Sequence, residues 1–204
     1  MKKIVIIGPE STGKSTLCGQ LAAHYDTLWC PEYAREYLLK HGTNYSFDDL
    51  LTIAKGQVQL EDRFSEEVVK RETANVKNTV AHSRLTTHDL PVGSQGSPPL
   101  FIDTDMYVMK VWCEFVFGDC HRFILDQVAE RKYDLYLLCN VDLPWVKDEL
   151  REYPDLETRS KLYFIYKDIM VNQSVPWVDI SGNYEERLAK AIKAVNGHMS
   201  QRVK

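Results

Sequence analysis

The stretch Lys3-Ile4-Val5-Ile6-Ile7-Gly8-Pro9-Glu10-Ser11-Thr12-Gly13-Lys14-Ser15 joins a short run of apolar, β-branched residues to a turn bounded by two glycines. Leu17, Leu21 and Ala22 follow at helical spacing, so the segment reads as strand, tight loop and helix. Its middle matches G-x-x-x-x-G-K-[ST], a highly specific spacing when a strand precedes it and a helix follows. The glycines let successive backbone N–H groups turn toward phosphate oxygens, and the helix adds its positive N-terminal end. A lysine at position 14 brings a mobile cation to the β and γ phosphates, and the Ser15 hydroxyl can bind Mg²⁺. Gly8, Glu10, Ser11, Thr12, Gly13, Lys14, Ser15 and Thr16 are therefore the candidate ATP-binding positions.

Outward from this loop, three more apolar runs end in polar turns: 99–102 before Asp103, 133–139 before Asn140, and 176–180 before Ser181. They read as buried strands, and a weaker run at 27–30 precedes Pro31. Helical patterns fill the gaps at 32–41, 47 to roughly 71, 106–117, 120–131, 157–173 and 185–195. Ser46 precedes the longest, with Asp48 and Asp49 in its first turn, an N-cap arrangement. Alternating strands and helices predict an α/β, three-layer P-loop sandwich with a mainly parallel five-stranded sheet. Ligands of such sheets bind beyond the carboxyl ends of the strands. The polar segment 72–98, ending in a Gly/Ser/Pro-rich run, reads as a flexible surface insertion.

At 204 residues, one domain spanning 1–204 is expected. Lys plus Arg number 25 against 29 Asp plus Glu, a net charge of −4, which is the wrong sign for a nucleic-acid partner. Any anion site must be local. Five cysteines without a Cys-x-x-Cys pair suit a reducing cytoplasm. The apolar run after Met1 stops at Gly8, too soon for a signal peptide, and no stretch has the length of a membrane span. The expected partner is a small molecule; a homo-oligomer is compatible with the sequence.

A magnesium site needs a carboxylate at the end of a neighbouring strand. Asp103 is the first candidate; Asp105 competes, and either could instead cap the helix that starts at Met106. Phosphoryl transfer also needs an acceptor pocket and a basic lid. Trp29, Glu32, Tyr33 and Arg35 follow the second strand, with Glu32 as candidate base or hydroxyl ligand, or else a first-turn Glu favoured by the helix dipole. The polar segment 142–159 reads as the lid, with Arg151 and Arg159 able to grip phosphate in a fork. A surface salt bridge is the alternative for each arginine.

The ordered blocks GPESTGKSTL, PEYAREYL, IAKGQ, FIDTD with KVWCEFVFG, DLPWVKDELR and SGNYEERL resemble the ribosylnicotinamide kinase domain of the bacterial NadR proteins, over nearly the whole chain. The resemblance implies MgATP-dependent phosphorylation of nicotinamide riboside at its 5′ hydroxyl. Where that family often has Asp-Gly-x-Arg in the lid, this chain has Asp148-Glu149-Leu150-Arg151. It has no H-x-G-H motif, so adenylyl transfer is not expected. A pyridinium-bearing substrate calls for aromatic faces, for which Trp29, Tyr33 and Trp112 are the candidates, with Asp105 nearby in sequence. For Trp112 and Trp29 the alternative is a core role. Gly182 and Tyr184 fall where similar nucleoside kinases hold adenine; a plain helix start explains them equally. The rival functions are a kinase for another nucleoside or small alcohol, and an ATP-binding regulatory module without kinase activity.

Overall fold

In the computed structural model, which describes residues 1–82 and 97–200, the first strand β1 (Lys3–Ile7) lies at the centre of a five-stranded parallel sheet. The strand order is β2 (Trp29–Cys30), β3 (Leu100–Asp103), β1, β4 (Leu135–Cys139), β5 (Trp177–Ile180), and every pair is parallel. The expected α/β sandwich is therefore present. The chain builds one side of β1 before crossing to the other, which opens a crevice at the carboxyl ends of the strands.

Side chains along a strand alternate between its two faces. Val5 and Ile7, with Ile102, Tyr136 and Leu138, pack on helices α4 (Met106–Phe117) and α6 (Leu156–Asn172). Ile4 and Ile6, with Phe101, Leu137 and Cys139, pack on α1 (Lys14–His24) and α7 (Tyr184–Ser200). A strand covered on both faces has no polar side, hence the uninterrupted Ile-Val-Ile-Ile run. A third cluster lies off the sheet, where Ala34 and Leu38 of α2 (Tyr33–His41) meet Leu50, Ile53 and Ala54 of α3 (Phe47–His82). Met106, Met109 and Cys113 of α4 and Ile124 of α5 (Arg122–Glu130) complete it. This helical group walls one side of the crevice.

Ser46 and Asp49 form a reciprocal cap on α3: the Asp49 amide donates to Ser46 Oγ at 3.3 Å and the Ser46 amide to Asp49 Oδ2 at 2.8 Å. That helix continues to His82, so 72–82 of the expected insertion 72–98 is helical; 83–96 lies outside the described residues, and 97–98 lead irregularly into β3. The fourth strand starts at Leu135 rather than 133: just before it the Lys3 amide donates to the Asp134 carboxylate at 2.9 Å instead of to a strand carbonyl. The last helix runs past 195 to Ser200. Among the described residues, no helix is long and apolar enough to cross a membrane.

Candidate active site

The chain leaves β1 at Gly8 with φ +141°, and a Cβ there would lie 2.7 Å from the Cys139 carbonyl oxygen. Any side chain would push the loop off the end of β4. Ser11 (φ 56°) and Gly13 (φ 77°) supply the left-handed turns that wrap the loop, and Gly13 caps α1. The Thr12 hydroxyl donates to the Pro9 carbonyl at 2.7 Å and Lys14 Nζ to the same oxygen at 2.9 Å. Lys14 thus rests on a neutral carbonyl, with its charge available to an anion.

Asp103 ends β3, and the register that pairs Ile6 with Asp103 sets its carboxylate beside the loop. Ser15 Oγ donates to Asp103 Oδ2 at 2.5 Å, while Oδ1 is buried with no hydrogen-bond partner. Burial, then the charge of Glu32, push this carboxyl up to about 6, against the pull of Lys14 and Ser15. A buried oxygen without a donor is costly. A divalent cation beside Ser15 removes that cost, so the residues present fit Mg²⁺, which takes few protein ligands. Among the described residues, no cluster of three or more His, Cys, Asp or Glu is placed to hold a metal.

Asp105 is the other buried acid here, and it takes the helix-capping role that is the alternative to a site role. Its Oδ1 caps α4 by accepting the amides of Tyr107 at 3.0 Å and Val108 at 3.4 Å, and its Oδ2 accepts the Tyr136 hydroxyl at 2.8 Å. It does not line the crevice.

On the acceptor side, Glu32 sits at the N-cap of α2 and lines a cavity of about 330 Å³ that also contains the phosphate loop. The turn carrying it is held by Gln57 of α3, whose Oε1 accepts the Tyr33 amide at 2.7 Å and whose Nε2 donates to the Pro31 carbonyl at 3.3 Å. Trp29, Arg35 and Trp112 line the same cavity. Trp112 is fixed by its indole N–H, which donates to Tyr45 Oη at 2.8 Å. Tyr33 does not line it: its ring lies on Gly56 of α3, where an added Cβ would fall 2.1 Å away. The helical phase that turns Ala34 and Arg35 inward turns Tyr33 to the helix behind.

The segment between β4 and α6 closes over this space. The Val146 amide donates to Ser11 Oγ at 3.1 Å, the Glu152 amide to Glu10 Oε2 at 3.0 Å, and the Tyr153 amide to Glu10 Oε1. Glu10 and Ser11, expected at the phosphates, thus direct their side chains to the lid. Burial pushes the Glu10 carboxyl up, against the two amides that favour its charge. Arg35 holds Asp148 at 3.0 Å. Arg151 lines the cavity, while Arg159 does not. Arg159 belongs to α6 and is 3% exposed; its NH2 reaches the carbonyls of Ser11 at 3.4 Å and Leu143 at 3.3 Å, beneath the Trp145 ring. It braces the lid from inside, and desolvation pulls its pKa down.

Gly182 and Tyr184 also lie outside the cavity lining. The Gly182 amide donates to Asp142 Oδ2 at 2.6 Å, and the exposed Tyr184 ring passes beside Gly13. Gln57 and Arg187 are the residues missed from sequence. The buried Arg187 guanidinium donates to the carbonyls of Gly182 at 2.8 Å, Thr12 at 2.9 Å and Asn140 at 2.9 Å, and to Asp142. It ties the phosphate loop to the turns after β4 and β5. The available signal was a lone Arg one turn into a helix that follows a strand and a glycine.

Residues 3–187 match the family model described as an AAA domain. Two curated relatives, each a trifunctional NAD biosynthesis/regulator protein NadR, from Escherichia coli (strain K12) and Salmonella typhimurium (strain LT2), are both 25% identical over 98% of this chain. The chain spans 43% of each of them. Among solved structures, a NadR protein in complex with NR has a TM-score of 0.68 at 19% identity, covering 100% of this chain and 51% of that one. A NadR protein with NAD and AMP-PNP has a TM-score of 0.64 at 20% identity, with the same coverage. Thymidylate kinase from Ehrlichia chaffeensis has a TM-score of 0.59 at 12% identity, covering 95% of this chain and 98% of that one. The fold is thus of the P-loop kinase type, and with the family model spanning most of its length the chain belongs to the AAA domain family.

Proposed function

We propose that this chain is a nucleoside kinase that transfers the γ-phosphoryl group of ATP to the 5′ hydroxyl of nicotinamide riboside, yielding nicotinamide mononucleotide. One observation carries the reading: a single cavity of about 330 Å³ is lined both by the phosphate loop with Asp103 and by Glu32, Trp29 and Trp112, with Arg151 among its walls. A bare ATPase has no use for a carboxylate and two indole rings in the same cavity as its phosphate loop. The relatives, whose name is that of an NAD biosynthesis/regulator protein, and the structural neighbour solved with NR support the choice of acceptor.

Phosphoryl transfer asks for positioning and charge neutralisation rather than covalent chemistry by the protein. Lys14 releases the Pro9 carbonyl and pairs with the β and γ phosphates. Glu32 accepts a hydrogen bond from the 5′ hydroxyl and aims its oxygen. Trp29 and Trp112 offer ring faces to the pyridinium cation, an attraction of about 0.5–2 kcal/mol. Arg151 stabilises charge on the transferring group. Ser15 and Asp103 would hold Mg²⁺, which supplies positive charge to the phosphate oxygens when bound.

The test is a coupled assay with MgATP across a panel of nicotinamide riboside, uridine, cytidine, adenosine and thymidine. The expected outcome is highest kcat/KM for nicotinamide riboside. A preference for an uncharged nucleoside would overturn the acceptor, and ATP hydrolysis without any phosphorylated product would overturn the kinase reading itself.

A further inference from the structure

The phosphate loop grips the lid by its own side chains, at points on either side of Arg151. Ser11 Oγ accepts the Val146 amide at 3.1 Å before it, and the two oxygens of Glu10 accept the amides of Glu152 and Tyr153 after it. Between these anchors, Arg151 donates to the Val146 carbonyl and faces the cavity. A carboxylate in a phosphate-binding loop is an electrostatic mismatch, since it repels the anion the loop exists to hold. Turned onto two N–H groups of the lid, the Glu10 carboxylate accepts hydrogen bonds that are stronger than neutral ones.

We propose that Glu10 is a positioning residue that docks the lid onto the phosphate loop and thereby sets Arg151 over the transferring phosphoryl group. The inference rests on the kinase reading for its catalytic consequence; the docking itself does not. Each Glu10 oxygen takes a different amide, so the fit is also chemically narrow. Glutamine has one acceptor oxygen, and its NH2 would confront the second N–H donor. Glu10→Gln is therefore disruptive even though its size is unchanged.

Two measurements on the full chain test the proposal. In amide hydrogen exchange of the ligand-free protein, Glu10→Ala and Glu10→Gln should each speed exchange at Glu152 and Tyr153 by about tenfold or more, leaving the core strands unchanged. In steady-state kinetics, Glu10→Ala should lower kcat about tenfold or more with the KM for ATP moved less than about threefold. Because Glu10 acts through Arg151, the double variant Glu10→Ala/Arg151→Ala should fall within about twofold of Arg151→Ala alone. Unchanged exchange at both amides, or losses that multiply in the double variant, would overturn the proposal. If Glu10→Ala does not fold, Glu10→Gln carries both arms. A wild-type chain that phosphorylates no nucleoside would defeat the kinase reading, while the exchange experiment would still decide the docking.

Discussion

The two ends of β1 each face a buried acid, and the acids are treated in opposite ways. At the amino end, Glu61 of α3 is 1% exposed and fully engaged, accepting from Lys3 Nζ at 2.8 Å and the Tyr133 hydroxyl at 2.9 Å and pairing with Arg131 NH1 at 2.8 Å. At the carboxyl end, Asp103 is equally buried, but it receives only the Ser15 hydroxyl and leaves one oxygen without a donor. A buried charge surrounded by donors locks elements together, whereas one left short of partners reserves its free oxygen for something that arrives later. Glu61 joins α3 to β1 and the start of β4, whereas on the proposed reading the open oxygen of Asp103 is kept for a ligand. Burial alone would not have separated the structural acid from the functional one; the count of partners does.

Substitutions should divide along the same line. The largest effect is expected at the open end: Asp103→Asn and Lys14→Ala should each lower kcat by about 10²–10³-fold or more, measured by phosphorylated product per enzyme. The thermal midpoint of Asp103→Asn should not fall, because it removes a buried charge that Lys14 and Ser15 only partly offset in the ligand-free protein. Next comes Glu61→Ala at the closed end, which strands Lys3 and Arg131 and should cost about 3–5 kcal/mol in chemical denaturation. Its kcat per folded molecule should remain near wild type. A Glu61→Ala variant with full stability and no turnover would invert the comparison.

Asp105 gives a subtler, pH-dependent effect. Its carboxyl is pushed up to about 7, chiefly by burial, from an ordinary value of 3.8. The folded state therefore holds this proton through a window in which the unfolded chain has released it. The contribution is fully present below about pH 4 and is lost as pH rises through about 7. Asp105→Asn keeps a capping oxygen and should flatten that part of the stability profile, measured as denaturation midpoints between pH 4 and 8. The smallest change is expected for Ser46→Ala, which removes half of the cap on α3 and should cost about 1 kcal/mol.

The phosphate loop, the order of elements and the central strands are legible in the sequence because each rests on local pattern. Gly8 and Gly13 bound a turn of known spacing, and strands buried on both faces leave unbroken apolar runs. The far end of α3 was not legible. After Arg71 the residues turn polar and lose their apolar stripe, yet a helix already nucleated extends at one hydrogen bond per residue. Asp103 ranks only weakly ahead of Asp105 in the sequence because both sit at the end of the same apolar run; the register with β1 and the position of Tyr136 separate them. Tyr33 and Arg159 carry the expected chemistry but do not line the cavity: helical phase lays the Tyr33 ring on Gly56, and Arg159 spends its guanidinium on the carbonyls of Ser11 and Leu143. The contacts of Arg187 with Thr12 and of Glu10 with Tyr153 join residues far apart in the chain, and no short-range pattern reports them.

The most direct measurement follows the terminal phosphate itself. With ATP labelled at the γ position, Mg²⁺ and nicotinamide riboside in a single turnover, the label should appear in nicotinamide mononucleotide from the wild-type chain and not from Asp103→Asn. Label recovered only as inorganic phosphate, or transferred equally well by Asp103→Asn, would contradict the account.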